Sequence, residues 1–118
     1  MRTIGVLFVL CVMLTGAAQA ESLTWRLRSS YPYIVHFQLF SDDRNHVWPS
    51  ASRVWVLDDS EVHSVRISCN YGEKICYGAW PSGNTSRIWG VGSEGREGCE
   101  DCCYICDGGT TAIHNLHD

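Results

Sequence analysis

Six of the seven cysteines lie between Cys69 and Cys106, and four of them crowd into Cys99-Glu-Asp-Cys-Cys-Tyr-Ile-Cys106. In a chain this short, such thiols are crosslinked, bound to metal or redox-active, and the compartment decides among these. The N-terminus speaks to the compartment. Arg2 precedes an apolar run from Ile4 to Thr15, and Gly16-Ala-Ala-Gln-Ala20 follows. A positive start, a short apolar segment and a small-residue stop are the three parts of a secretory signal. Residues 1–20 are therefore expected to be removed after Ala20, with Ala18 as the other possible cut. The run is shorter than the ~20 apolar residues that a spanning helix needs. Val9 and Leu10 before Cys11 do not fit a lipid-attachment site. The expected product is one domain, residues 21–118, periplasmic or secreted, with no stable membrane span after cleavage. Cys11 departs with the signal. An even number of thiols remains, and in an oxidising compartment it reads as three disulfides among Cys69, Cys76, Cys99, Cys102, Cys103 and Cys106.

Two other readings of the cluster are weaker. The overlapping Cys-x-x-Cys steps, with His114 and His117 downstream, resemble a zinc ligand set, but the histidine spacing is poor and oxidation competes for the thiolates. Redox chemistry needs a depressed thiol pKa, usually from positive neighbours. Here Glu97, Glu100, Asp101 and Asp107 surround the cluster, with Arg96 the only nearby base.

Period-2 alternation dominates the rest and no helical period persists. Tyr33, Val35, Phe37 and Leu39 form one apolar face, opposite Ile34, His36, Gln38 and Phe40. Further strands are expected at Leu23 to Leu27, Arg53 to Leu57, His63 to Cys69 and Thr110 to Ile113. Lys74 to Trp80 and Arg87 to Val91 flank the turn residues Pro81-Ser-Gly-Asn84 and read as a hairpin. Short strands separated by Gly, Pro, Asn and Asp turns predict a mostly β fold: a small, disulfide-stapled antiparallel β-sandwich or barrel-like domain. The stretch from Ser93 to Gly109 is expected to be irregular. If the chain folds back at Asn70-Tyr-Gly-Glu-Lys-Ile75, Ile67 faces Gly78, Val65 faces Trp80, and Cys69 meets Cys76. That bond would contribute about 2.5 kcal/mol by restricting the unfolded chain. The other four cysteines would then pair among themselves, without a bond between the neighbours Cys102 and Cys103.

The net charge of −4 becomes one unit more negative when Arg2 leaves, since no acid leaves with it. An acidic chain lacks the basic face that displaces counterions from phosphate, so nucleic acid is not an expected partner. No cofactor motif stands up. Gly90-Val-Gly-Ser-Glu-Gly95 matches G-x-G-x-x-G, but a dinucleotide site needs a helix to follow, and none is indicated. Its glycines are expected to serve a loop with positive backbone angles. Asp42, Asp43, Asp58, Asp59 and Glu61 lack calcium-loop spacing. No Gly-x-Ser-x-Gly elbow occurs, and no unpaired cysteine is left as a nucleophile. Asn84-Thr-Ser86 is a glycosylation sequon in a eukaryotic host.

Most of the five tryptophans should be core, since an indole buries a large area and needs one hydrogen-bond partner. Trp48 lies in the polar stretch Ser41-Asp-Asp-Arg-Asn-His-Val-Trp-Pro49. An exposed ring there could stack a sugar or anchor a protein. The alternative is a loop that caps its own backbone while Trp48 plugs the end of the sandwich.

From Ser41 to Cys106 the chain resembles a group of small exported bacterial cysteine-rich proteins with no established activity. The resemblance rests on Arg44-Asn-His-Val-Trp-Pro49, Gly72-Glu-Lys-Ile-Cys-Tyr-Gly-Ala-Trp80, Trp89-Gly-Val-Gly92 and Cys99-Glu-Asp-Cys-Cys-Tyr-Ile-Cys106. It covers about half the chain, and implies a bacterial, periplasmic or secreted setting and no function. The residues themselves favour a non-enzymatic binding or interaction module for a protein or glycan ligand. Its expected contact loop is 41–49, with Asp43, Arg44, His46 and Trp48 as candidates. The alternative is a small hydrolase or metal-dependent enzyme, using carboxylates near Asp42 and Asp58 with His46 or His63.

Overall fold

The computed structural model describes residues 19–117. Nearly all of the expected signal segment, and Asp118, lie outside the described residues. Within them the structure is built from strands and turns, with no helix. The strands are β1 (Ala20–Ser29), β2 (Val35–Ser41), β3 (Val47–Trp48), β4 (Trp55–Leu57), β5 (His63–Asn70), β6 (Lys74–Pro81), β7 (Trp89–Gly90), β8 (Cys103–Ile105) and β9 (Thr110–Leu116). Alternation sets which side chains turn inward. Along β1, Leu23, Trp25 and Leu27 are buried, while Thr24 and Arg26 are partly exposed and Arg28 is exposed.

One sheet has the order β5-β1-β9. β1 and β5 run antiparallel, with Leu23 opposite Ile67 and Trp25 opposite Val65. β9 lies parallel to β1, an exception to the expected antiparallel pattern. In the second sheet β2 pairs with β3, β4 and β6, and β6 extends the sheet to β7 and β8. The expected hairpin forms there, with Gly78 opposite Gly90. The sheets share one core of Leu23, Trp25, Leu27, Val35, Phe37, Leu39, Leu57, Ile67, Ile75, Tyr77 and Ala79, with Leu116 closing it. Trp25 spans the gap, its ring meeting Tyr77 and Tyr104 edge-on at 5.9 and 5.2 Å. Burying a ring of that size contributes on the order of 3 kcal/mol.

The second sheet is covered on its outer face too. The Gln38 amide donates to the carbonyls of Ser50 (3.0 Å) and Arg53 (2.7 Å), drawing that loop over β2. Gly78 lets the Gly92 carbonyl approach so closely that a Cβ at Gly78 would lie 2.0 Å from its oxygen. Gly95 rests on the Phe40 ring in the same way. The stretch after β7 is therefore a lid on the sheet. Its Gly90, Gly92 and Gly95 have φ of 63°, 74° and 70°, the left-handed region where glycine pays no steric penalty. Covering both faces explains why β6 is buried from Ile75 to Pro81.

The cysteines pair as Cys69–Cys106, Cys76–Cys103 and Cys99–Cys102. This overturns the expected Cys69–Cys76 bond. β5 and β6 do not form a hairpin: β5 pairs with β1, and β6 with β2. The turn between them is a corner from one sheet to the other, so Ile67 faces Leu23 instead of Gly78. Three disulfides mark an oxidising, non-cytoplasmic environment. Two further expectations shift. Tyr33 lies before β2 and is 71% exposed, off the apolar face. The stretch expected to be irregular contains β8.

Candidate functional site

The β2–β3 connection is held in a defined shape by its own backbone and by one acid from another turn. The Ser41 amide donates to the His46 carbonyl (3.0 Å), closing the loop at its base. Ser41 Oγ accepts from the amides of Asp43 (3.2 Å) and Arg44 (3.1 Å). Asp43 Oδ2 accepts the Lys74 amide (2.9 Å), tying the loop to the start of β6. Asp42 lies 3.6 Å from the Lys74 ammonium.

Glu73 is the residue that organises this end of the molecule. Only 3% exposed, it sits in the corner turn, whose shape is set by the Glu73 amide donating to the Asn70 carbonyl (2.9 Å). Its carboxylate accepts from Arg44 Nε and from Arg44 Nη2 (3.0 Å). It also accepts from Ser41 Oγ and from the Asn70 amide (3.0 Å). Burial alone would push its pKa up. The Arg44, Ser41 and Asn70 donors and the Arg44 charge outweigh burial and hold it at about 2. A buried carboxylate is tolerated when hydrogen bonds and an opposite charge replace its lost water. The Arg44 pKa is raised by the hydrogen bond to Glu73. A shallow cleft of about 220 Å³ lies between the loop and the turn, lined by Asp43, Arg44, Asn70, Tyr71, Gly72 and Glu73. Tyr71 stands at it 63% exposed.

The four candidate residues are thus brought to one end of the fold in different roles. Asp43 and Arg44 face the corner turn. His46 is exposed and packs edge-on against Trp48 at 4.5 Å. Trp48 itself is only 7% exposed, and its indole N–H donates to the Ser68 carbonyl of β5 (3.0 Å). It is a plug between the sheets and not an open stacking platform, since β3 turns its ring inward. Arg44 lies over this ring, 5.6 Å from its centroid. Sequence reasoning missed Glu73 and Tyr71. The one local signal was an acid and an aromatic inside a turn already marked by Asn70 and Gly72, and nothing local named Arg44 as the partner.

The residues of the hydrolytic reading are divided among separate neighbours. Asp42 faces Lys74, and His46 packs on Trp48. His63 Nε2 contacts Asp59 Oδ1 at 2.6 Å on the surface. That contact is the main reason the Asp59 pKa is lowered. Asp58 lines a different cleft, beside Tyr31 and Tyr33. His114 packs among Trp25, Tyr77 and Tyr104, with ring centroids 5.7, 4.8 and 5.5 Å away. Burial lowers its pKa, against an opposing pull from Asp101. All six cysteines among the described residues are taken up in disulfides. Among the described residues no three His, Cys, Asp or Glu side chains converge on one point. Likewise, no helix among them is long and apolar enough to cross a membrane. Comparison with protein-family profiles, curated proteins and solved structures gives no match.

Proposed function

We propose that this chain is a non-enzymatic binding module working outside the cytoplasm. Its contact surface is the exposed rim of the 41–46 loop together with the corner turn, presenting Asp43, Arg44, His46 and Tyr71. The observation that supports this reading is the fixing of Arg44 by Glu73, which joins two distant loops into one rigid surface beside an exposed tyrosine. A surface ordered before binding loses less conformational entropy on contact. Tyrosine and arginine are also the residue types that dominate contact energies. Trp48 contributes by holding the loop from beneath.

The test is site-specific photocrosslinking of the exported protein in its native cells, with the photoreactive residue at the exposed loop position Asn45 and a control at Ser82. One defined adduct from position 45, lost in a His46→Ala/Tyr71→Ala double variant with an unchanged melting temperature, supports the surface. Adducts of equal yield from Ser82, or capture unaffected by the double variant, overturn it.

A further inference from the structure

A second, separate surface lies where β1 passes into β2. The cleft here, about 190 Å³, is lined by Ser29 to Ile34 on one side and by Leu57 to Ser60 on the other. Of its lining residues Leu57 and Ser29 are buried, and one wall is aromatic: Tyr33 meets Tyr31 edge-on at 5.7 Å. Two carboxylates stand at the opposite wall. Asp59 is occupied by His63, whereas Asp58 makes no hydrogen bond or ion pair among the described residues. Next to the cleft, Arg28 Nε donates to the Ser60 carbonyl (3.1 Å).

The same aromatic corner already holds a cation. The Arg87 guanidinium lies 5.0 Å from the Tyr31 ring centroid and 5.5 Å from that of Trp89, and Tyr31 and Trp89 pack edge-on at 5.2 Å. Tyr33, on the other side of Tyr31, presents an equivalent ring to solvent without such a guest. A ring face attracts a cation through its quadrupole, and Asp58 supplies a full negative charge beside it.

From the exposed ring and the unpaired carboxylate lining one cleft, we infer that this cleft receives a guanidinium or ammonium side chain from a basic segment of a partner protein. The alkyl stem lies on Tyr33 and Ile34, and the charge faces Asp58. This site is distinct from the 41–46 surface.

The experiment is an amide-shift titration of the ¹⁵N-labelled exported protein with acetyl-arginine amide and acetyl-lysine amide at low salt. Acetyl-glutamate amide and maltose serve as parallel probes. Expected are saturable shifts from the two cations at Tyr33, Ile34 and Asp58, weakened by added salt. Asp58→Asn and Tyr33→Ala should each weaken binding by about threefold, as a solvent-exposed ion pair or cation–π contact does. Both positions are exposed, and unchanged spectra elsewhere confirm that the variants fold. Absent cation shifts, equal shifts from the acidic amide, or undiminished binding in both variants would overturn the inference. Shifts from maltose alone would reassign the cleft to a glycan.

Discussion

Replacing Glu73 with glutamine tests whether one buried carboxylate holds the two loops together. Folding lowers its pKa from an ordinary 4.5 to about 2. At ~1.4 kcal/mol per unit, that difference is worth on the order of 3 kcal/mol of stability at neutral pH. Two things reduce the expected loss. The Arg44 side chain is 40% exposed, so water recovers part of its solvation once the partner is gone. The glutamine amide oxygen also still accepts the Asn70 N–H. We expect Glu73→Gln to cost about 2 kcal/mol, a fall of roughly 10 °C in melting temperature for a domain this size. The sign with pH is definite. The native state favours the ionised carboxylate, so its contribution is complete above about 4.5 and is lost as pH falls through about 2. Urea unfolding followed by tryptophan fluorescence, with disulfides intact, should show wild type and variant well apart at pH 7 and converging near pH 2. A neutral-pH difference below about 0.5 kcal/mol, the range of an ordinary surface substitution, would refute the reasoning. A gap that does not close in acid would refute it too.

Trp48→Ala should destabilise by about 3–5 kcal/mol, because it removes a buried ring and leaves the Ser68 carbonyl without its indole donor. Trp48→Phe, which also lacks the indole donor but keeps most of the ring, should lose clearly less in the same denaturation assay, and equal losses would remove ring burial from the account. Replacing Cys69 and Cys106 together by alanine removes the outer of two nested crosslinks; with Cys76–Cys103 intact the loop released is about ten residues, at an expected cost of about 3 kcal/mol on the chain-entropy model. Peptide mapping of the non-reduced protein that found Cys69 joined to Cys76 would instead refute the pairing itself.

Much of the fold was legible because alternation is a local property. Leu23, Trp25 and Leu27 on β1, and Val35, Phe37 and Leu39 on β2, turn inward as period 2 requires. The glycines of Gly90 to Gly95 were legible for a similar reason, since the absence of a following helical pattern already pointed to a loop. Partner choice was not legible. Asn70 to Glu73 suits a hairpin and a corner equally well, and the deciding fact is which strand each neighbour finds elsewhere. A hint lay in Ile75 to Pro81: an unbroken apolar and small run marks a strand covered on both faces. Two-sided cover places β6 in the interior of a sheet, with β2 on one edge and β7 and β8 along the other. The contact loop was legible as a location but not as a structure. Its polar residues announced a turn, while the acid that fixes Arg44 comes from a distant segment.

The disulfide pattern carries a consequence for the order of events during synthesis. Cys69 and Cys76 emerge well before Cys103 and Cys106, their partners near the end of the chain. During that interval each finds the other as its nearest thiol among the described residues. A premature Cys69–Cys76 crosslink would tie together strands that belong to opposite sheets. It must therefore be reopened by thiol–disulfide exchange before the native bonds can close. A chain caught in that pairing is released by a catalyst that reshuffles bonds, and not by an oxidant that only makes them.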